Sequence, residues 1–353
     1  MSSSRDKIIL INDAPIFSGV GRYANDISLS LGSGGITISF VMDSKYINSE
    51  FPGEKYKGIF PPFMKGGWSL NNTFRNIIFR KQISNIKKKL QDSRSLIHYS
   101  NPLIKPIRES TEDVVTIHDL FFYNDRVSTD TVAHKTLVKN INIYKTFHNI
   151  LTVSNTMQKV LMESGFSGKI TTIYPPVSNY FKIIPEKISL RKKLNLPVDK
   201  KLVLSVSTTA KRKNIPTVKK TMELLGDEYL LIRVGEDIGT GVSFQNISPA
   251  SINDVYNACD VLFFPSLGEG FGYPLVEAMK TGLPVVASDI DVMREISDNA
   301  AVLVAPTPES CAEGIKEALN NSDKYIESGI RRSQIFSFDI FRDNILKYYS
   351  RIK

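Results

Sequence analysis

Short apolar runs recur along this chain with roughly one helix-length segment between neighbours, and that alternation restricts the fold more than any single motif. The first series comprises Lys7 to Ile11, Ile36 to Val41, Ser95 to Tyr99, Val114 to Ile117, Ile150 to Val153 and Ile170 to Ile173. A second series comprises Lys201 to Val206, Tyr229 to Val234, Val261 to Phe264, Pro284 to Ala287 and Ala301 to Val304. Runs this short and this continuously apolar suit strands covered on both faces, and the segments between them supply crossover helices. The expectation is an α/β chain of two Rossmann-like halves built on parallel sheets. At 353 residues there is length for two domains, each with its own core. Pro175, Pro176, Pro185 and Pro197 punctuate a charged stretch between Tyr174 and Pro197, where the junction is expected.

The window Phe264 to Ser288 carries most of the chemistry. Glu269 and Glu277 stand eight positions apart on either side of a glycine-rich turn that follows the strand-like run ending at Pro265. Gly268, Gly270 and Gly272 let the backbone approach a ligand closely, and Pro274 suits the first turn of a helix through Leu275, Val276, Ala278 and Met279. Amide donors converging beside Glu269 favour polar oxygens, and two acids placed there suit hydroxyl groups better than phosphate. A sugar or ribose is the natural partner. The competing reading is a generic strand-to-helix turn with solvated acids.

The segments Lys213-Asn214-Ile215-Pro216, Val255-Tyr256-Asn257-Ala258, Pro265-Ser266, Glu269-Gly270-Phe271-Gly272, Glu277-Ala278-Met279 and Gly282-Leu283-Pro284-Val285-Val286 follow one another in a telling order. In order and approximate spacing they resemble the retaining glycosyltransferases of family 4. That resemblance implies the GT-B architecture: two Rossmann-like domains facing each other across a cleft, with a C-terminal helix crossing back to the first. The corresponding division is 1–182 with helix 336–353 as the N-terminal, acceptor-binding domain and 183–335 as the C-terminal, nucleotide-sugar-binding domain. The helix expected around Asp339 to Ser350 presents Phe341, Ile345, Leu346 and Tyr349 on one face.

The resemblance also implies roles. Glu269 and the amides of Gly270, Phe271 and Gly272 address the donor sugar's hydroxyls, Glu277 holds the ribose, and Lys213 grips the donor phosphates with help from Arg212. Lys211, Arg212 and Lys213 also gather positive charge after the Lys201 to Val206 strand, at the carboxyl edge where ligands of open α/β sheets sit. Fixed cations there can stabilise a departing diphosphate without a metal. Thr208 stands where many relatives carry an arginine, which shifts the phosphate load toward Arg212 and Lys213. His118 and Asp119 follow the Val114 to Ile117 strand; family members place a histidine in that loop against the transferred sugar, whereas the plainer reading is a structural histidine and a helix-capping aspartate. Ser154 and Asn155 border the same region or cap the helix that follows them.

Gly19-Val20-Gly21-Arg22-Tyr23-Ala24 fits a G-x-G-x-x-A dinucleotide fingerprint, with Asp43 near the place of a ribose-binding acid. This supports an NAD-dependent oxidoreductase as the runner-up. Against it, Asp13 to Ser18 separate the strand from the first glycine, where the fingerprint wants a tight turn. In the glycosyltransferase reading the amides of Gly19 and Gly21 face the donor diphosphate or the acceptor. A noncatalytic nucleotide-binding protein of the same fold is the third alternative.

The formal charge of +9 raises the question of an anionic partner. No zinc pattern, RNP-like strand or basic zipper is present in the sequence, so nucleic acid is not expected. From Phe74 to Leu90 lie Arg75, Arg80, Lys81, Lys87, Lys88 and Lys89 with no acid, interleaved with Phe74, Ile77, Ile78, Ile86 and Leu90. Such a segment either lies on an anionic membrane surface or packs its apolar face on a sheet. Phe60 to Trp68 reads as a loop in which Phe63 and Trp68 are candidates for contact with acceptor or lipid. The N-terminus passes from a polar tail into a strand-like run without a signal-like apolar region, and the only cysteines are Cys259 and Cys311. A cytoplasmic location, with peripheral attachment to the inner membrane face as its extension, is expected. Asp289-Ile290-Asp291 spells a D-x-D that binds metal in another glycosyltransferase fold, but the histidines are scattered and no metal or cofactor is expected. The reading is a retaining, metal-independent hexosyltransferase. Its donor is a nucleotide-diphosphate sugar, GDP-mannose favoured over UDP-glucose because Lys213-Asn214 with His118-Asp119 look most like the mannosyltransferase-rich part of the family. Its acceptor is a glycan or lipid-linked hydroxyl.

Overall fold

The computed structural model describes residues 8–12, 14, 18–41, 54–57, 95–106, 110–121, 132–245 and 247–352. The segments 60–68 and 74–90, with their aromatic and basic residues, and Asp43 lie outside the described residues. The chain divides into two compact units, one made of residues 1–174 and 341–353, the other of residues 175–340.

In the first unit β1 (Ile8–Asn12) leads through α1 (Gly19–Leu31) to β2 (Gly35–Val41), followed by β3 (Glu54–Lys57), β4 (Leu96–Tyr99) and β5 (Val114–Ile117). Helix α2 (Val132–Tyr144), β6 (Asn149–Thr152), α3 (Asn155–Glu163) and β7 (Lys169–Thr172) complete the series. The strands form one parallel sheet in the order β3-β2-β1-β4-β5-β6-β7. Every residue of β1, β5 and β6 is buried, as the unbroken apolar runs require of strands covered on both faces. Helix α1 buries Tyr23, Ala24, Ile27 and Leu31, one stripe at helical spacing.

The second unit begins with α4 (Lys187–Lys193) and β8 (Lys201–Val206) and continues through α5 (Ile215–Leu225), β9 (Tyr229–Val234), β10 (Val242–Phe244) and α6 (Pro249–Ala258). Then come β11 (Val261–Phe264), α7 (Tyr273–Lys280), β12 (Val285–Ser288), α8 (Asp291–Ser297), β13 (Val302–Val304), α9 (Pro308–Asn320) and α10 (Ser322–Ser333). Its parallel sheet runs β10-β9-β8-β11-β12-β13. The sequence direction reverses on either side of β8, which makes the carboxyl ends of β8 and β11 a topological switch point. At the opposite edge Arg191 is 5% exposed and spans Asp260 Oδ2 at 2.6 Å, the Ala258 carbonyl at 2.9 Å and the Lys200 carbonyl at 3.0 Å. The Leu202 N–H donates to the same Asp260 oxygen at 2.7 Å, which fixes α4 to the start of β8.

Helix α11 (Phe338–Ile352) carries residues 341–353 into the first unit. It buries Phe341, Ile345, Tyr348 and Tyr349, while Leu346 is exposed. The expected stripe is corrected at that position: Leu346 lies five residues beyond Phe341, about 140° around a helix, whereas Tyr348 at seven returns to the buried side. Phe341 meets Tyr23 edge-on at 5.3 Å, and the Tyr349 hydroxyl lies 2.5 Å from His98 Nδ1 in the core.

Candidate active site

The second unit gathers the charged residues at its switch point. After β8 the chain runs through residues 207–210 into a 3₁₀ turn, Lys211–Lys213, and Asn214 then takes a left-handed conformation at φ 56° to start α5. The Asn214 carboxamide accepts from Thr217 Oγ at 2.9 Å, a local bond that suits asparagine to this conformation. Across the switch, the Leu267 N–H donates to the Arg212 carbonyl at 2.7 Å, so the loop after β11 is tied to the turn after β8.

That tie delivers Glu269 to both cations. Arg212 Nη1 donates to Glu269 Oε2 at 2.7 Å and to the Gly268 carbonyl at 3.1 Å, and Lys213 Nζ donates to Glu269 Oε1 in a short contact. Glu269 and Lys213 side chains retain only 8% and 11% of their exposure, against 33% for Arg212. The Lys213 ammonium also sits 5.2 Å from the centre of the Phe264 ring, a cation–π contact in a poorly hydrated place. Two cations around one carboxylate leave a net positive charge, which suits an incoming anion, while the carboxylate oxygens suit hydroxyl donors.

Gly272 follows at φ 97° and begins α7; a Cβ there would lie 3.2 Å from Met293 Cε, so both the backbone and the approach of α8 call for glycine. Phe271 between the glycines is buried and stacks edge-on against Phe336 at 5.5 Å, which anchors the turn carrying the Gly270 to Gly272 amides. Glu277, in the second turn of α7, is 2% exposed and accepts from the Tyr256 hydroxyl at 2.6 Å. Tyr256 is in turn fully buried and edge-on to Phe181 at 5.3 Å. Sequence reasoning placed Tyr256 in a matching segment without a role, because its partners Glu277 and Phe181 lie on other segments.

Asp289 and Asp291 both pair with Arg294, at 2.6 and 3.0 Å. Among the described residues no three His, Cys, Asp or Glu side chains converge as metal ligands.

The first unit holds the remaining candidates. His118 is half-buried at the end of β5, edge-on to Tyr23 at 5.2 Å, with Nε2 donating to the Ser100 carbonyl at 3.1 Å. Burial pulls its pKa down to about 4, so the ring is neutral near pH 7. With the proton on Nε2, Nδ1 is an acceptor for a hydroxyl and a poor acid or base. Asp119 Oδ1 accepts from the Phe121 N–H at 3.2 Å, a local turn. Ser18 caps α1, and its hydroxyl takes the Gly21 N–H at 3.0 Å; Gly19 is exposed at the first position of the helix. β1 ends at Asn12 and α1 begins at Gly19, a greater separation in sequence than a dinucleotide fingerprint uses. Asn12, unremarked in the sequence, joins the ends of β1 and β4: it accepts from Ser100 Oγ at 2.8 Å and donates to the Ala14 carbonyl at 2.7 Å. Ser154 caps α3 by accepting from the Met157 N–H at 3.1 Å.

Residues 186–332, which hold Arg212, Lys213, Tyr256, Glu269 and Glu277, match the family model for glycosyl transferases group 1. That segment is similar to the group 1 glycosyltransferases. The family 4 resemblance is consistent with that assignment. Over 256 residues the chain is 27% identical to the O-antigen chain mannosyltransferase RfbU of Salmonella typhimurium, covering 65% of this chain and 67% of RfbU. A stretch of 76 residues is 40% identical to the serotype-specific mannosyltransferase WbdA of Escherichia coli, which is 21% of this chain and 9% of WbdA. Sucrose-phosphate synthase from Thermosynechococcus elongatus has a similar structure, with a TM-score of 0.79 over 99% of both chains and 19% identity. The fold is GT-B.

Proposed function

We propose that this chain transfers a hexose from a nucleotide-diphosphate sugar to an acceptor hydroxyl, with retention at the anomeric carbon and without a metal. The observation that carries this reading is the Arg212–Glu269–Lys213 cluster at the switch point of the second sheet. Glycosyl transfer passes through an oxocarbenium-like state, so positive charge grows on the sugar while negative charge grows on the departing diphosphate. Lys213 and Arg212 serve the leaving group, and Glu269 with the Gly270 to Gly272 amides holds the sugar hydroxyls. Glu277, oriented by Tyr256, holds the ribose. Retention follows the front-face route implied by the family resemblance, in which the donor phosphate helps accept the acceptor's proton.

Mannose is the favoured sugar, with GDP-mannose ahead of UDP-glucose, and the mannosyltransferase names of RfbU and WbdA support that order. A glycan or lipid-linked acceptor fits the basic segment Phe74 to Leu90, and peripheral attachment to an anionic membrane would bring the two together. Among the described residues no helix is long and apolar enough to cross a membrane. The test is incubation with a panel of nucleotide sugars and acceptors, following release of diphosphate. Turnover with GDP-mannose that vanishes in Lys213→Ala and Glu269→Ala, both folded by circular dichroism, is the expected result. Full turnover in either variant removes that residue from the mechanism, and turnover with UDP-glucose alone replaces the donor.

A further inference from the structure

The turn that carries Lys213 is held from behind by a second, concealed cation. Arg233, on β9, is completely buried and lies in register with Ser205 on β8. Its guanidinium reaches toward the carboxyl edge, where Nη2 donates to the Ser207 carbonyl at 2.8 Å and Nε to the Glu236 carbonyl at 3.2 Å. Nη1 lies 3.3 Å from Ser205 Oγ and 3.4 Å from Ser207 Oγ. The next link is made by Glu236, whose carboxylate accepts from the Thr209 N–H at 2.7 Å. Gly235, between the two, sits at φ 143°; a Cβ there would fall 2.2 Å from the Ser207 carbonyl oxygen. Residues 207 and 209 are therefore each clamped to the 233–236 segment, immediately before the 3₁₀ turn at 211–213.

Carbonyl ties of this kind could be made by a neutral donor. Instead the fold buries a guanidinium that holds two carbonyl and two hydroxyl oxygens at once. A guanidinium spans several oxygens at once in one rigid fork, and the charges of Glu236 and Asp237 nearby offset part of the cost of burying it. We propose that Arg233 is a positioning residue for the donor's diphosphate: it fixes loop 207–213, through Ser207 directly and through Glu236 to Thr209. This rests on the nucleotide-diphosphate reading of the Lys213 site. Exposed Thr208 stands within the clamped segment.

The experiment compares binding of GDP, UDP and the corresponding nucleosides by calorimetry to wild type, Arg233→Met, Arg233→Lys and Glu236→Ala. Glu236 is exposed, so its variant removes the Thr209 tie without disturbing the core and remains informative if Arg233→Met fails to fold. Arg233→Met is expected to weaken diphosphate binding at least tenfold while leaving nucleoside binding within twofold, with partial recovery in Arg233→Lys. Glu236→Ala is expected to weaken diphosphate binding severalfold and to raise the donor KM more than it lowers kcat. Equal losses for nucleoside and diphosphate, or wild-type diphosphate affinity in folded Arg233→Met or in Glu236→Ala, would overturn the inference. If wild type itself binds no nucleoside diphosphate, the donor reading fails instead.

Discussion

Replacing Glu269 by glutamine should tighten the binding of a bare nucleoside diphosphate while it destroys transfer. The Glu269 carboxylate occupies both cations, with Arg212 Nη1 at 2.7 Å from Oε2 and Lys213 Nζ on Oε1. A phosphate oxygen taking the outer side of the same cations would sit about 6 Å from the carboxylate, given hydrogen bonds of roughly 3 Å on each side. One unit of charge repulsion at that separation is about 3 kcal/mol at an effective dielectric constant of 20, falling to about 1 kcal/mol toward the dielectric of water. Arg212 is one-third exposed, so the two values bracket the site. The change amounts to roughly 5- to 150-fold tighter binding of UDP or GDP, since about 1.4 kcal/mol is tenfold. Isothermal titration at low salt measures it, and the gain should shrink in 1 M salt, where the screening length is about 3 Å. Weaker or unchanged diphosphate affinity in a folded Glu269→Gln protein would refute the idea that the carboxylate competes for these cations. Binding of the intact nucleotide sugar separates the two roles, because the lost hydroxyl contacts oppose the electrostatic gain.

Three further outcomes are expected. Asp260→Ala strands the buried Arg191 guanidinium and should destabilise the second unit by about 3–5 kcal/mol in denaturant titrations, with much of the loss recovered in Asp260→Leu combined with Arg191→Met. Tyr256→Phe removes the hydroxyl that orients Glu277 and should raise the donor KM several-fold with a smaller effect on kcat, a hydrogen bond to a charged group being worth about 1.5–3 kcal/mol; an unchanged KM would release Glu277 from the ribose role. Acidification should weaken the first unit. Burial lowers His98 and His118 from 6.5 to about 3 and about 4, so their contribution is present above pH 6.5 and lost as pH falls toward those values. Burial raises Asp26 to about 7, so its contribution is present below pH 3.8 and lost as pH rises through 7, the opposite sign. Between pH 4 and 6.5 Asp26→Asn should therefore steepen the loss on acidification by about 1.4 kcal/mol per pH unit, and equal slopes in variant and wild type would contradict this assignment.

Most of the strands legible in the sequence are buried on both faces, where an unbroken apolar run leaves little alternative, and the edge strands β7 and β13 were legible from their own apolar residues. The two that escaped, β3 (EKYK) and β10 (VSF), are edge strands, one in each sheet, short and polar as edges are kept. Leu346 was misassigned to the buried stripe because leucine marks a core by type, and only the angle around the helix distinguishes it from Tyr348. In the site, Glu269, Arg212 and Lys213 could be read because each stands in a loop with a recognisable spacing. Tyr256, Asn12 and Arg233 could not, because their meaning comes from partners on other strands and helices. Their local sequence describes only an ordinary helix or strand, and the Gly21 amide looked available until Ser18 was seen to take it.

Residues 341–352 complete the core that residues 8–172 began, and the ribosome makes them only after all of 175–340. Until then His98 lacks the tyrosine hydroxyl at its Nδ1, and Tyr23 lacks one of the two rings against which it rests. During translation the later-made half can therefore finish folding first, and the earlier-made half must wait with an open seam along α1 and β4.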